Sequence, residues 1–315
     1  MKQGVISLGE ALVDFIPLDL NNQQYQKSAG GAPANVAVGV SRLGVRSAFV
    51  GKVGDDQLGS FLKKTLTDYG VQTHSMTSTD KAKTGLVLVT NEEEGERSFE
   101  FFVEPSADQL LSIEDYDETI FEQYKILHIG SITMIRQPSK QATEAAVRKA
   151  KDQGLIISYD PNLRLNLWSD EGQAKDSIMS LLPFVDFLKV SEEELFFLTG
   201  KSEINEGIQQ LQNYQIPFIV VTLGANGCYV CKGANMKHIP ARKVLAVDTT
   251  GAGDAFVSAM LYGLEKSKDK IQELSIEEMV KMAELASISG ALAASKKGAM
   301  TALPSIEEIK PYLSN

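Results

Sequence analysis

The sequence predicts an α/β fold with a mostly parallel sheet covered by helices on both faces. Three observations carry this. Short apolar runs alternate with amphipathic helical patterns along most of the chain. The runs are flanked by helices, as strands of a buried parallel sheet are. Glycine turns stand directly before two of the helices, at Gly30-Gly31 and Gly251-Ala252-Gly253.

In chain order, the strand candidates are Val5–Leu8, Ser47–Val50, Ile126–Ile129, Leu155–Tyr159, Phe187–Val190 and Phe218–Thr222. The helix candidates are Ala34–Leu43, Leu58–Tyr69, Lys140–Gln153, Glu192–Leu198, Asn205–Tyr214, Asp254–Glu265 and Ile276–Ser295. Two segments break the alternation. One is Leu12–Ser28. The other is Thr84–Val103, where two strand-like runs flank a polar tip, Asn91–Glu96, as in a β-hairpin. Residues 12–28 and 84–103 would together form a small sheet projecting from one domain that spans residues 1–315.

Composition narrows the classes. The chain has 315 residues, 43% hydrophobic and 23% charged, as in an ordinary globular protein. Its net charge of −10 opposes non-specific nucleic-acid binding, which needs a basic face. No apolar run reaches transmembrane length, so no membrane partner is expected. The N-terminus enters a strand pattern without a signal-peptide core, which makes the cytoplasm the expected location. Cys228 and Cys231 are spaced C-x-x-C but lie in a strand-like run, where positions three apart face opposite sides. With no second Cys or His pair to complete a zinc site, they read as core residues.

The stretch Asp248-Thr249-Thr250-Gly251-Ala252-Gly253-Asp254-Ala255-Phe256 carries the most chemistry. It reads as a glycine turn running into the first turn of a helix. The free amides of such a turn attract phosphate. Asp254, a carboxylate in the same turn, is placed to take a proton from an alcohol. An anion hole beside a base points to phosphoryl transfer. The plain alternative is a helix cap. The whole string resembles the C-terminal signature of the ribokinase-like (PfkB) sugar kinases, with every fixed position filled. Their N-terminal signature is matched by Gly30-Gly31-Ala32-Pro33-Ala34-Asn35, Gly44 and Val50–Gly59.

The resemblance spans nearly the whole chain and implies a three-layer sandwich with a small β-sheet lid. It implies Asp254 as base and the amides of Gly251, Ala252 and Gly253 as the anion hole. Sugar hydroxyls would meet Asp14, Gly30, Gly31 and Asn35, Phe101 and Phe99 on the lid would cap the sugar, and Arg164 would fork onto phosphate or grip a sugar oxygen. A lid closing over them would exclude water during transfer. ATP would lie along Lys189, Ser191, Glu194, Thr222, Gly224 and Gly227, with Ser287 near adenine. Glu194 would order water around Mg²⁺; the family usually has Asn where this chain has Ser191. Asp248 and Thr250 match a monovalent-cation site, with Gly298 offering a carbonyl, but Ala302 stands where ribokinases present a serine hydroxyl. Potassium is therefore an open cofactor beside ATP and Mg²⁺. The lid strands would pair across a two-fold axis in a homodimer, or stay unpaired in a monomer.

Asp160–Trp168 and Pro105–Leu111 are similar to the corresponding strings of fructokinases, which points to fructose as the acceptor. Ketodeoxygluconate kinases and kinases of ribonucleosides such as aminoimidazole riboside share both signatures and stay open. Some of the former carry a basic lid residue where this chain has Val103, which favours a neutral sugar. A silent sensor on the same fold is the rival from another class. Thr199-Gly200-Lys201-Ser202 imitates the end of a Walker A loop, but Leu195 replaces the required glycine, so Gly200 reads as a helix C-cap. No Gly-x-Gly-x-x-Gly follows the first strand, which opposes a dinucleotide enzyme.

Overall fold

The computed structural model describes residues 2–92 and 97–312. The part of the expected hairpin tip at 93–96 lies outside them. The elements run β1 (Val5–Leu8), β2 (Leu12–Pro17), β3 (Tyr25–Gly30), α1 (Ala32–Arg42), β4 (Ser47–Gly54), α2 (Gln57–Asp68), β5 (Met76–Thr79), β6 (Leu86–Asn91), β7 (Arg97–Phe101) and β8 (Ile126–Ile129). They continue α3 (Ser139–Asp152), β9 (Ile156–Tyr159), α4 (Glu171–Leu181), β10 (Phe187–Ser191), α5 (Glu192–Thr199), α6 (Ile204–Leu211), β11 (Phe218–Thr222), β12 (Cys228–Lys232), β13 (Asn235–Ile239), α7 (Ala252–Lys266) and α8 (Ile276–Ala294).

Among the described residues the main sheet has nine strands in the order β13-β12-β11-β10-β9-β8-β1-β4-β5. It is parallel from β5 to β11, and β12 and β13 turn back antiparallel at the edge. Neighbouring residues of one strand feed two cores, as the pleat requires. Val5, Phe187 and Phe218 pack with α1, α7 and α8, while Ile6, Leu188 and Ile219 pack with α3 to α6. The result is the expected helix–sheet–helix sandwich. Cys228 joins the first core and Cys231 the second; both are free thiols, and burial pushes each up to about 12.

A second sheet, order β3-β2-β6-β7, is made from the two segments that broke the alternation. Leu12, Ile16, Val87 and Val89 form its own small core. Asp56 ties it to the main body: its carboxylate caps α2 at Leu58 and Gly59 and also accepts the Thr84 N–H at 2.9 Å.

Of these elements, α4, β5 and β13 escaped the sequence reading; β13 is a mostly exposed edge strand, Asn-Met-Lys-His-Ile. The core face of α4 carries Ala174 and Ser177 beside Ile178 and Leu181, so its apolar stripe is faint. β5 is the polar edge run Met-Thr-Ser-Thr. Helix α7 also begins two residues earlier than expected, at Ala252, so Asp254 is its third residue, and Gly251 is the N-cap. Gly200 does end α5 in a left-handed turn, at φ 68°.

Candidate active site

The site lies where the strand order turns from β1 to β4 on one side and to β8 on the other. Open α/β sheets hold ligands at such switch points, beyond the carboxyl ends of the strands. Glu10 follows β1, Asp160 follows β9 and Lys189 lies near the end of β10. The N-termini of α1 and α7 face the same cleft of about 330 Å³. Close packing of these two helices brings them there. Gly39 of α1 lies against Ser258 of α7, and a β-carbon at Gly39 would overlap the Ser258 hydroxyl.

At the α7 end, Gly251 turns the chain at φ 78°, which favours glycine. The Ala252 N–H donates to Thr249 O at 3.1 Å. Among the described residues the amides of Gly251 and Gly253 have no acceptor in the chain. Lys189 Nζ stands beside them, 3.7 Å from where a β-carbon on Gly253 would be.

Asp254 is buried. Its Oδ2 accepts from Asn35 Nδ2 at 2.8 Å and its Oδ1 from Asn162 Nδ2 at 3.5 Å. Burial pushes its pKa up to about 6, with Asn35 pulling down, Asp160 pushing up, and Lys189 and Arg164 pulling down. Asp14, half-buried on β2, is pushed up to about 7, by burial first and by Asp254 against Arg164. Gly30 makes room for it, since a β-carbon there would overlap the Asp14 carboxylate. Gly31 caps α1 at φ 99°. Leu12, Val87, Phe99, Phe101 and Ile132 form an apolar wall facing these acids. Arg164 is exposed at the rim, donating to the carbonyls of Asn162 and Leu163.

The chain matches known proteins over nearly its whole length. The pfkB family carbohydrate kinase pattern matches residues 2–306. The chain belongs to that family. It is 40% identical to a fructokinase of Vibrio alginolyticus, over 97% of each chain. A double-mutant Vibrio cholerae fructokinase, solved with fructose, ADP and potassium, is 42% identical with a TM-score of 0.89, over 100% of both chains. A Xylella fastidiosa fructokinase with bound ATP is 34% identical with a TM-score of 0.91, covering 99% of this chain and 98% of that one.

Within this carbohydrate kinase, a second cavity of about 370 Å³ shares Asn162, Arg164 and Lys189 with the first. Lys189 is buried in an ion pair with Asp160, 3.0 Å away. Burial opposes its charge, but Asp160, Glu194 and Asp254 outweigh that and raise its pKa. Ser191 and Glu194 form a capping box on α5. Glu194 Oε2 accepts from Ser191 N at 2.8 Å and Oε1 from Leu163 N at 2.7 Å. Ser191 therefore does the capping work here.

Thr222 ends β11, and Gly224 and Gly227 form the turn into β12, but neither they nor Ser287 on α8 line the two cavities. Asp248, Thr250 and Gly298 are brought together: the Asp248 carboxylate accepts the Thr250 N–H at 3.0 Å and the Gly298 N–H at 3.1 Å. Ala302 is buried nearby in the same segment.

Asn35 was expected to hold sugar hydroxyls with both ends of its amide. One N–H of its amide donates to Asp254, which leaves the second, and its Oδ1 is buried without a hydrogen-bond partner among the described residues. Sequence reasoning overlooked Glu10, Asp160 and Asn162. Asp160 and Asn162 stood in a string that marked substrate class, and the position of that string after a strand was the available signal. Glu10 carried none beyond following β1.

Proposed function

We propose that this chain is an ATP-dependent fructokinase that transfers the γ-phosphoryl group to the primary hydroxyl of D-fructose, giving fructose 6-phosphate. One observation carries the reading: a buried carboxylate, Asp254, shares a cleft with amides at the start of its own helix that have no acceptor among the described residues. A base and an anion hole then meet one bound alcohol. The names of the relatives supply the sugar.

Asp254 takes the hydroxyl proton as oxygen attacks phosphorus. Its raised pKa suits a base working near neutrality. The Gly251 and Gly253 amides meet charge on the migrating group, and Lys189 adds a cation beside them. Asp14 accepts sugar hydroxyls, and Phe99 and Phe101 cover the apolar face of the ring. The small sheet acts as a lid on this single-domain kinase and excludes water when it closes.

Mg²⁺ fits the chemistry of Glu194. Each of its oxygens accepts one amide and keeps lone-pair capacity, and it faces the second cavity. Among the described residues no group of three or more His, Cys, Asp or Glu could hold a metal. Mg²⁺ would be held here mainly by phosphate and water, with Glu194 as the protein's carboxylate. When bound, Mg²⁺ neutralises phosphate charge. Asp248, Thr250 and Gly298 are the residues for potassium. No helix among the described residues is long and apolar enough to cross a membrane. A cytoplasmic location, where ATP is supplied, fits this reading.

The test is ATP consumption by purified protein with Mg²⁺, with and without potassium. The acceptors are fructose, ribose, 2-keto-3-deoxygluconate, adenosine and aminoimidazole riboside, with ³¹P NMR of the product. Fructose 6-phosphate as the main product supports the reading. Strong preference for another acceptor overturns the fructose assignment. No turnover on any of them favours the silent sensor.

A further inference from the structure

Asn162 is one of three non-glycine residues among those described with a left-handed backbone, at φ 46°. Such a conformation at a cleft is a place to look for function, because the fold must hold it there. Here the turn does three things at once. The Asn162 N–H donates to Asp160 Oδ1 at 3.2 Å, and the same oxygen accepts from Lys189 Nζ at 3.3 Å. The Asn162 side-chain amide reaches Asp254 Oδ1 at 3.5 Å. The next residue, Leu163, gives its N–H to Glu194 at 2.7 Å. One short turn therefore touches the proposed base, the buried ion pair and the carboxylate facing the second cavity.

We propose that Asn162 is a positioning residue for phosphoryl transfer: its amide holds Asp254 Oδ1 opposite the Asn35 grip on Oδ2, so the base is fixed from both sides and tied through Asp160 to Lys189. The proposal rests on Asp254 being the base. A carboxylate with an amide donor on each oxygen has less freedom to rotate, and it keeps lone pairs for a proton from the cleft. The contact is long in the ligand-free protein, as catalytic hydrogen bonds often are before substrate binds. Other charged groups also face Asp254: Asp160 beyond β9, Lys189 on β10, Arg164 two residues after Asn162, Asp14 on β2 and Glu10 beyond β1. Asn162→Gly replaces none of these side chains and keeps the backbone N–H that donates to Asp160.

The test is Asn162→Gly, which keeps the left-handed backbone accessible and deletes the amide. The first readout is the titration of the Asp254 carboxyl by ¹³C NMR in the free protein, assigned by its loss in Asp254→Asn. Losing a donor to the charged form raises the Asp254 pKa. The second readout is kcat on fructose at pH 7, expected to fall about tenfold, as for a lost hydrogen bond to a charged group, with KM for ATP unchanged. An unmoved Asp254 titration overturns the proposal, whatever happens to kcat. If Asn162→Gly does not fold, Asn162→Asp replaces it, since Asp also tolerates this backbone. There the donor becomes a like charge, and the Asp254 pKa must rise further. The NMR readout needs no acceptor, so a failure to phosphorylate fructose would defeat the functional reading separately.

Discussion

The two helix starts that meet in the cleft look alike and do different work. Both α1 and α7 begin on a glycine with positive φ, Gly31 at 99° and Gly251 at 78°, and neither has a side-chain cap. The first helical amide is answered at both ends, Ala32 N–H by Glu10 Oε1 at 3.0 Å and Ala252 N–H by Thr249 O at 3.1 Å, but the next residue of α1, Pro33, has no N–H to offer. At α7 the Gly251 and Gly253 amides have no acceptor among the described residues. The α1 end is therefore part of the wall, while the α7 end is available to an anion. The difference lies in what the neighbouring strand supplies: a carboxyl group beyond β1 at one end, and Lys189 on β10 at the other.

The sharpest way to break this comparison is at the α7 end. Asp254→Asn should lower kcat about a thousandfold, the scale of a lost general base, with ADP affinity by calorimetry retained. Gly251→Ala should lower kcat about a hundredfold, because the side chain opposes the left-handed turn and meets Ala299 Cα at 3.2 Å, displacing the amides. In contrast, Gly31→Ala places its β-carbon 2.5 Å from Glu10 O and should show chiefly as lost stability, about 1–3 kcal/mol in urea melts. Equal kcat losses in the two glycine variants would contradict the division of labour.

The smallest effect belongs to Glu10. Burial, aided by Asp108 and Asp254, pushes it up to about 8 from 4.5, although backbone hydrogen bonds pull it down. The folded protein thus holds this proton more tightly than the unfolded chain. Its stabilising contribution is present below about pH 4.5 and is lost as pH rises to about 8. Glu10→Gln mimics the protonated form, so it should flatten the decline of Tm over that window while changing kcat at neutral pH less than twofold. An unchanged pH dependence of Tm would remove Glu10 from this role.

Much of this was legible in the sequence. β1, β8 and β11 are short, mostly apolar runs, and their expected boundaries match those observed. The two glycine turns announced the helix ends. The departures have physical causes. α4 hides its core face behind Ala174 and Ser177. Asn35 meets Asp254 across 219 residues of chain, and no local pattern encodes which end of its amide will be used. The Asp160–Lys189 pair likewise joins the ends of two strands whose pairing is a property of the sheet. Local chemistry could be read from the sequence, but contacts between distant elements appeared only in the fold.

The most direct test of the central claim is the pH dependence of kcat/KM for fructose. Both Asp14, at about 7, and Asp254, at about 6, work as ionised carboxylates, so activity must fall toward acid. The account predicts a logarithmic slope of one between those values, steepening to two below about pH 6. A profile that stays flat down to pH 5 would contradict it.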